Sequence, residues 1–290
     1  MKPAPFIYQA PETIEEAVGL LVEYGEPAKI LAGGQSLVPM QNLRLARPEV
    51  VIDINRIRSH DYVEVDDATL RVGALARHAT VETAVQVPGP LRGLLTEVGR
   101  RVGHLPIRLR GTFCGSLAHA DPAAEWCALL TALDGVVIAQ GPHGVREIPA
   151  DDFFRTAFTT FLAPDEMIVE AQLPILAADW QYGTSFLSRR AGDFSIVLVI
   201  AMLRVLDGRI TAARIALGGV ADRPIRATTA EEALIGREPQ LSLVKEAARA
   251  AAASVEPMDD LQGSSEYRRH LVEVLVGRAL ATANGSGVNR

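Results

Sequence analysis

Two glycine-bearing segments hold the residues best suited to chemistry. The first is Leu31-Ala32-Gly33-Gly34-Gln35-Ser36-Leu37. A short apolar run enters it, and a helical turn is expected to leave it at Leu37. Paired glycines admit positive φ and let a ligand approach the backbone closely. Successive N–H groups at the start of a helical turn make a nest for an anion, and Gln35 and Ser36 add side-chain donors. That is suitable chemistry for a pyrophosphate. The run matches neither the P-loop, which needs Gly-Lys-Ser/Thr, nor Gly-x-Gly-x-x-Gly. Taken alone, it reads equally well as an ordinary tight turn.

The second segment is Arg110-Gly111-Thr112-Phe113-Cys114-Gly115-Ser116-Leu117-Ala118-His119-Ala120-Asp121-Pro122-Ala123-Ala124-Glu125. Thr112 and Ser116 are candidate donors to phosphate or ribityl oxygens. Asp121 and Glu125 are candidate acceptors from ribityl or ribose hydroxyls. The plainer readings are a helix cap for Asp121 and a satisfied structural histidine for His119.

The elements around these segments follow from periodicity. Thr13-Ile14-Glu15-Glu16 is a capping box that opens a helix closed by Gly25. Strands are expected at 29–32, 50–54, 62–65 and 70–73, and helices at 80–85 and 91–99. A Gly-bearing loop then leads to Ser116, and Asp121-Pro122 starts a third helix through Trp126, Leu129, Leu130 and Leu133. Trp126 and Cys127 read as core residues on it. Strands follow at 136–140, 145–148 and 167–173. Beyond a boundary at 173–180 come strands at 183–190, 196–206 and 209–217, the last two joined by an Asp207-Gly208 hairpin turn. Helices at 229–234, 241–252 and 265–282 finish the chain. The order predicts α+β rather than a βαβ repeat. The division is 1–57, 58–175 and 176–284, with a disordered tail over 285–290.

Composition narrows the class. The 290 residues are 48% apolar and 22% charged, with a net charge of −6, a globular balance. The cations between Arg100 and Arg110 are too broken by Leu, Ile and Gly to suggest nucleic acid. No apolar run approaches a membrane span and no signal peptide is evident, so a cytoplasmic protein is expected. Two cysteines, Cys114 and Cys127, make no disulfide framework. They are also too few for an iron–sulfur cluster, which needs about four. The six histidines are scattered, so no metal site is expected.

Taken together, these segments resemble the flavoprotein (medium) subunits of the molybdenum hydroxylases, the family of carbon monoxide, xanthine and nicotine-type dehydrogenases. The resemblance runs almost end to end. It rests on Ala32-Gly33-Gly34-Gln35-Ser36, on Ile107-Arg108-Leu109-Arg110-Gly111-Thr112, and on the run from Gly115 to Glu125. It continues through Arg189-Arg190-Ala191-Gly192-Asp193-Phe194, Ile215-Ala216-Leu217-Gly218-Gly219-Val220 and Glu266-Tyr267-Arg268-Arg269-His270.

It implies an FAD-binding fold of the vanillyl-alcohol oxidase type, made of two α+β subdomains. A C-terminal α+β domain with a small antiparallel sheet follows. FAD, held non-covalently, would lie between the subdomains. Leu31, Ala32, Gly33, Gly34, Gln35, Ser36 and Leu37 would cradle the pyrophosphate. Thr112, Gly115 and Ser116 would complete the phosphate and ribityl contacts. His119 and Glu125 would lie beside them, and Ile168 near the flavin ring; Asp121 joins the expected contacts on its acceptor chemistry alone. Two positions depart from the family pattern: Cys114 stands where it has Gly, and Leu109 where it has Asn.

By the same resemblance, a large partner subunit would carry molybdopterin and hydroxylate the substrate, and a small one would carry iron–sulfur clusters. FAD would pass electrons on to NAD, a quinone or oxygen. No side chain here offers an acid, base or nucleophile for substrate chemistry. The rival readings are a structural or assembly subunit that has lost flavin and a stand-alone flavin oxidase of the same fold.

Overall fold

The structure, a computed structural model, describes residues 2–285. The tail expected to be disordered lies outside this range apart from Gly285. The first unit runs β1 (Ile7–Gln9), α1 (Ile14–Tyr24), β2 (Ala28–Leu31), α2 (Leu37–Asn42) and β3 (Val50–Asp53). Its sheet is parallel, in the order β1-β3-β2. The Thr13 cap forms, its Oγ1 accepting from the Glu16 N–H at 3.1 Å, while the Glu16 carboxylate accepts from the N–H of Glu12, one residue before the cap. Helix α1 buries Ile14, Ala17, Val18 and Leu21 against this sheet, a spacing that puts them on one helical face.

The second unit is built on β4 (Val63–Asp66), β5 (Thr69–Gly73), α3 (His78–Glu82), α4 (Gly89–Gly99), α5 (Leu105–Arg108), α6 (Phe113–His119) and α7 (Glu125–Ala132). It continues with β6 (Val136–Gly141), β7 (Gly144–Pro149), α8 (Ala150–Phe153), β8 (Phe154–Thr156), β9 (Thr159–Thr160) and β10 (Met167–Pro174). Five of these strands form an antiparallel sheet in the order β4-β5-β10-β6-β7. Its two faces have separate tasks. Met167, Val169 and Ile138 pack into the core of the first unit, while Ile168, Ala171 and Leu173 join the core built on α4, α6 and α7. A β-bulge between Ile168 and Glu170 lets Val169 and Ala171, two residues apart, enter different cores, so this strand joins the two units.

The third unit is β11 (Trp180–Leu187), β12 (Val197–Leu206), β13 (Arg209–Gly218), β14 (Ile225–Arg226), α9 (Thr228–Leu234), α10 (Leu241–Ala253) and α11 (Ser265–Ala283). Its sheet is antiparallel in chain order. The hairpin turn has positive φ at both Asp207 and Gly208, as a primed turn requires. Strand β12 is apolar on both faces because both are covered. Leu198, Ile200 and Met202 face the second unit, and Val197, Val199 and Ala201 face α9–α11. Polar anchors fix the same junction. The Gly219 N–H donates to Pro122 O at 2.9 Å, and Arg226 and Arg214 both pair with Asp134.

The architecture is α+β, with one local parallel βαβ unit at the N-terminus. Two expectations need correction. The stretch before Ser116 is not a loop but the short helix α6, whose N-cap Thr112 accepts from the Gly115 N–H at 3.1 Å. Asp121-Pro122 does not start the following helix. The Asp121 carboxylate accepts from the Ala123 N–H at 2.8 Å in an Asx turn, and α7 begins only at Glu125. No helix among the described residues is long and apolar enough to cross a membrane.

Candidate functional site

The two glycine-bearing segments meet. A Cβ placed on Gly33 would lie 2.5 Å from both Arg110 O and Gly111 Cα, so the loops touch backbone to backbone and only glycine fits. Gly34 takes φ +72°, which turns the chain into α2. Among the described residues, the backbone N–H groups of residues 33–36 donate to no protein acceptor. Unpaired donors of this kind form a ready site for an anion. Gln35 spends its amide N–H on Gly33 O at 3.1 Å, which stiffens the nest.

A hydrogen-bonded brace holds this junction from behind. Asn55 donates to Ala32 O at 2.8 Å and to Asp53 Oδ1. Arg77 donates one amino group to Asn55 Oδ1 at 2.7 Å and the other to Arg110 O at 2.5 Å. Tyr8 closes the chain of contacts on Asp53 Oδ2 at 2.8 Å. One asparagine and one arginine thus tie the carbonyl of the first loop to that of the second. Burial and the charge of Arg110 lower the pKa of Arg77, yet it remains a cation at any ordinary pH.

The loops open on a cleft of about 450 Å³ between the first and second units. Leu31 to Leu37, Thr112, Gly115, Ser116, His119, Glu125 and Ile168 all line it; Asp121 alone of the expected site residues does not. Leu162, Met167 and Ile168 give it an apolar wall suited to a flat ring system. Glu166 stands beside them, locked in a bidentate pair with Arg146.

The titratable groups are set by burial. Burial first, and then the Asp121 carboxylate, push the Glu125 carboxyl up to about 7. Burial lowers His119, whose ring lies 5.1 Å from that of Phe158. Burial raises both cysteine thiols, so neither is a reactive thiolate. Cys114 sits within α6 at ordinary φ, its sulfur turned toward Val72 O and Gly73 O of the neighbouring sheet. Its Cβ therefore costs the loop nothing. Leu109 is exposed at the end of α5.

Several lining residues were not among the expected contacts. His78, at the start of α3, needs the Arg77–Thr112 bridge to reach the cleft. Gly192 and Phe194 come from the third unit, where Gly192, at φ +85°, packs its backbone on the His104 ring. Gly111 belonged to a recognised motif but not to the expected contacts. It must be glycine because a Cβ there would meet His78 Nε2 at 2.6 Å.

Residues 4–176 match the family "FAD binding domain in molybdopterin dehydrogenase", and residues 184–283 match "CO dehydrogenase flavoprotein C-terminal domain". The chain is 39% identical over 283 residues to the nicotine 6-hydroxylase medium subunit of Paenarthrobacter nicotinovorans, covering 98% of this chain and 99% of that one. It is 35% identical to the carbon monoxide dehydrogenase medium chain of Hydrogenophaga pseudoflava, covering 98% of each. A solved structure of carbon monoxide dehydrogenase from H. pseudoflava superposes with a TM-score of 0.95 at 37% identity, over 99% of this chain and 100% of that one. Unpaired donors, an all-glycine contact and an apolar wall fit FAD, and with these matches the chain belongs to the FAD-binding medium subunits of the molybdenum hydroxylases.

Proposed function

We propose that this chain is the electron-transfer subunit of a molybdenum hydroxylase. It would accept electrons from iron–sulfur clusters on a small partner and pass them to NAD, a quinone or oxygen. A large partner would carry molybdopterin and the substrate. The relatives' names support the assembly: they are medium chains and subunits of dehydrogenase complexes. Bound FAD supplies the exchange between one-electron donors and a two-electron acceptor.

The work of this chain is to hold and orient. The N–H groups of residues 33–36 would bind the pyrophosphate, with the Thr112 and Ser116 hydroxyls beside them. Leu162, Met167 and Ile168 would exclude water from one face of the ring. Glu125, largely protonated below pH 7, would offer a hydroxyl donor to a ribityl or ribose oxygen. Among the described residues no cluster of three or more His, Cys, Asp or Glu could hold a metal ion.

The observation that carries this reading is the set of unpaired N–H donors at a glycine contact opening on the cleft. It disfavours a flavin-free structural subunit, in which such donors would be left without purpose. The test is the visible spectrum of the purified chain, with FAD added if it emerges colourless. Flavin bands at one FAD per chain, released intact on denaturation, support non-covalent binding. A folded chain that takes up no FAD, even beside its partners, refutes it.

A further inference from the structure

His78 is only 5% exposed, yet it lines the cleft. Its Nδ1 lies 2.9 Å from Trp126 Nε1. An indole nitrogen can only donate, so Nδ1 must accept. In the neutral ring the proton is then on Nε2. That atom sits against Gly111, at the point where the two glycine loops meet.

No protein acceptor hydrogen-bonds Nε2 among the described residues, and it is not sealed in the core: it opens on the cleft. Burial, followed by the charges of Arg108 and Arg77, pushes the imidazole down to about 4, so it is neutral across the working range. A neutral N–H in the wall of the cleft with no protein acceptor is free to donate to a ligand oxygen. The core around it also fixes its direction. Trp126 is fully buried, packed at 5.0 Å on Phe113, and cannot swing away.

We propose that His78 is a further cofactor-contacting residue, whose Nε2–H, fixed in place by Trp126, donates to an oxygen of the FAD phosphate–ribityl chain beside Gly111. The proposal rests on the flavin reading above. It makes Trp126 a positioning residue that sets the tautomer from the core. It also supplies a reason for Gly111: the imidazole occupies the space a Cβ would need.

The test compares FAD dissociation constants, read by flavin fluorescence, for the full chain and for His78→Leu and His78→Gln. Glutamine can accept from the indole through its carbonyl and donate to the cleft through its amide; leucine can do neither. Leucine should weaken FAD roughly 10- to 100-fold, and glutamine should remain within about 3-fold of the parent. Equal binding by the leucine variant, or equal weakening in both, overturns the proposal.

Nitrogen-15 NMR of histidine-labelled parent protein gives a reading that no variant's folding can spoil. An Nε2–H tautomer for His78 whose signals move on adding FAD is expected. An Nδ1–H tautomer, or signals indifferent to FAD, overturns it. A parent chain that binds no FAD at all would instead refute the flavin reading, while the tautomer measured without FAD would still judge the geometry.

Discussion

Replacing Gly33 by alanine should separate the two loops that form the cradle. The new Cβ would stand 2.5 Å from Arg110 O and from Gly111 Cα, against the 3.4 Å at which ordinary contact begins. The loops must therefore part by about 0.9 Å, the difference of those two distances. Both obstructing atoms are backbone, and the Asn55–Arg77 brace resists the movement, so no flexible side chain can absorb it. A charge-assisted hydrogen bond is typically about 2.8 Å long and is lost when stretched by that much.

Each lost bond to a phosphate is worth about 1.5–3 kcal/mol. Losing two after partial relaxation weakens FAD by roughly 100- to 1,000-fold. The fold should survive, because Gly33 is at ordinary φ and lies on the cleft rather than in the core. The assay is an FAD titration by flavin fluorescence, with thermal unfolding of the FAD-free chain alongside. Gly19→Ala is the control. Its Cβ meets nothing within 4 Å on helix α1, so it should stabilise the chain by about 0.5–1 kcal/mol and leave FAD untouched. FAD affinity for Gly33→Ala within about 3-fold of the parent would mean that the contact of Gly33 with Gly111 does not shape the FAD site.

Three other perturbations separate the cradle from its supports. Asn55→Leu cuts the brace between Ala32 O and Arg77 without touching the cleft. It should weaken FAD roughly 10-fold in the same titration while the Gly33 contact stays intact. Cys114→Gly restores the usual family residue but places glycine inside a helix and removes a buried sulfur. Denaturant melts should show a loss of about 1–2 kcal/mol, with FAD affinity unchanged. Glu125 is raised from 4.5 to about 7 in the fold. The folded state then holds a proton that the unfolded chain releases between those values, so stability falls as pH climbs from 4.5 to 7 and levels off above. Glu125→Gln should flatten that slope and stabilise the FAD-free chain at pH 8 by up to about 3 kcal/mol, read from melts across that range.

The turn at the first glycine loop was legible because its geometry is local. Gly33-Gly34 between a strand and a helical turn announces a tight turn from adjacent residues alone, and the Asp207-Gly208 turn and the Thr13 cap are local in the same way. Helix α6 was missed because Gly115 and Ser116 lower helix propensity. The helix persists because Thr112 caps it and Phe113, Cys114 and Leu117 bury one face. Asp121-Pro122 misled in the opposite sense: Ala120, at φ +51°, ends α6 in a left-handed turn, and residues 121–124 are needed to reverse the chain before α7 can begin.

What the sequence could not disclose is tertiary. His78 lies 48 residues from Trp126, Asn55 lies 22 from Arg77, and Gly192 comes from another unit altogether. Their roles depend on sheets that bring distant segments together, and no spacing along the chain records that.

FAD in this cleft is proposed to carry electrons between partners. The most direct test is anaerobic reduction of the assembled complex, following the flavin absorbance after substrate is added. The flavin bands should bleach in the complex and recover when an acceptor is supplied, whereas the isolated flavin-loaded chain should not respond to substrate. Flavin that stays oxidised in a complex whose iron–sulfur clusters are reduced by substrate, or an isolated chain bleached by substrate on its own, would contradict it.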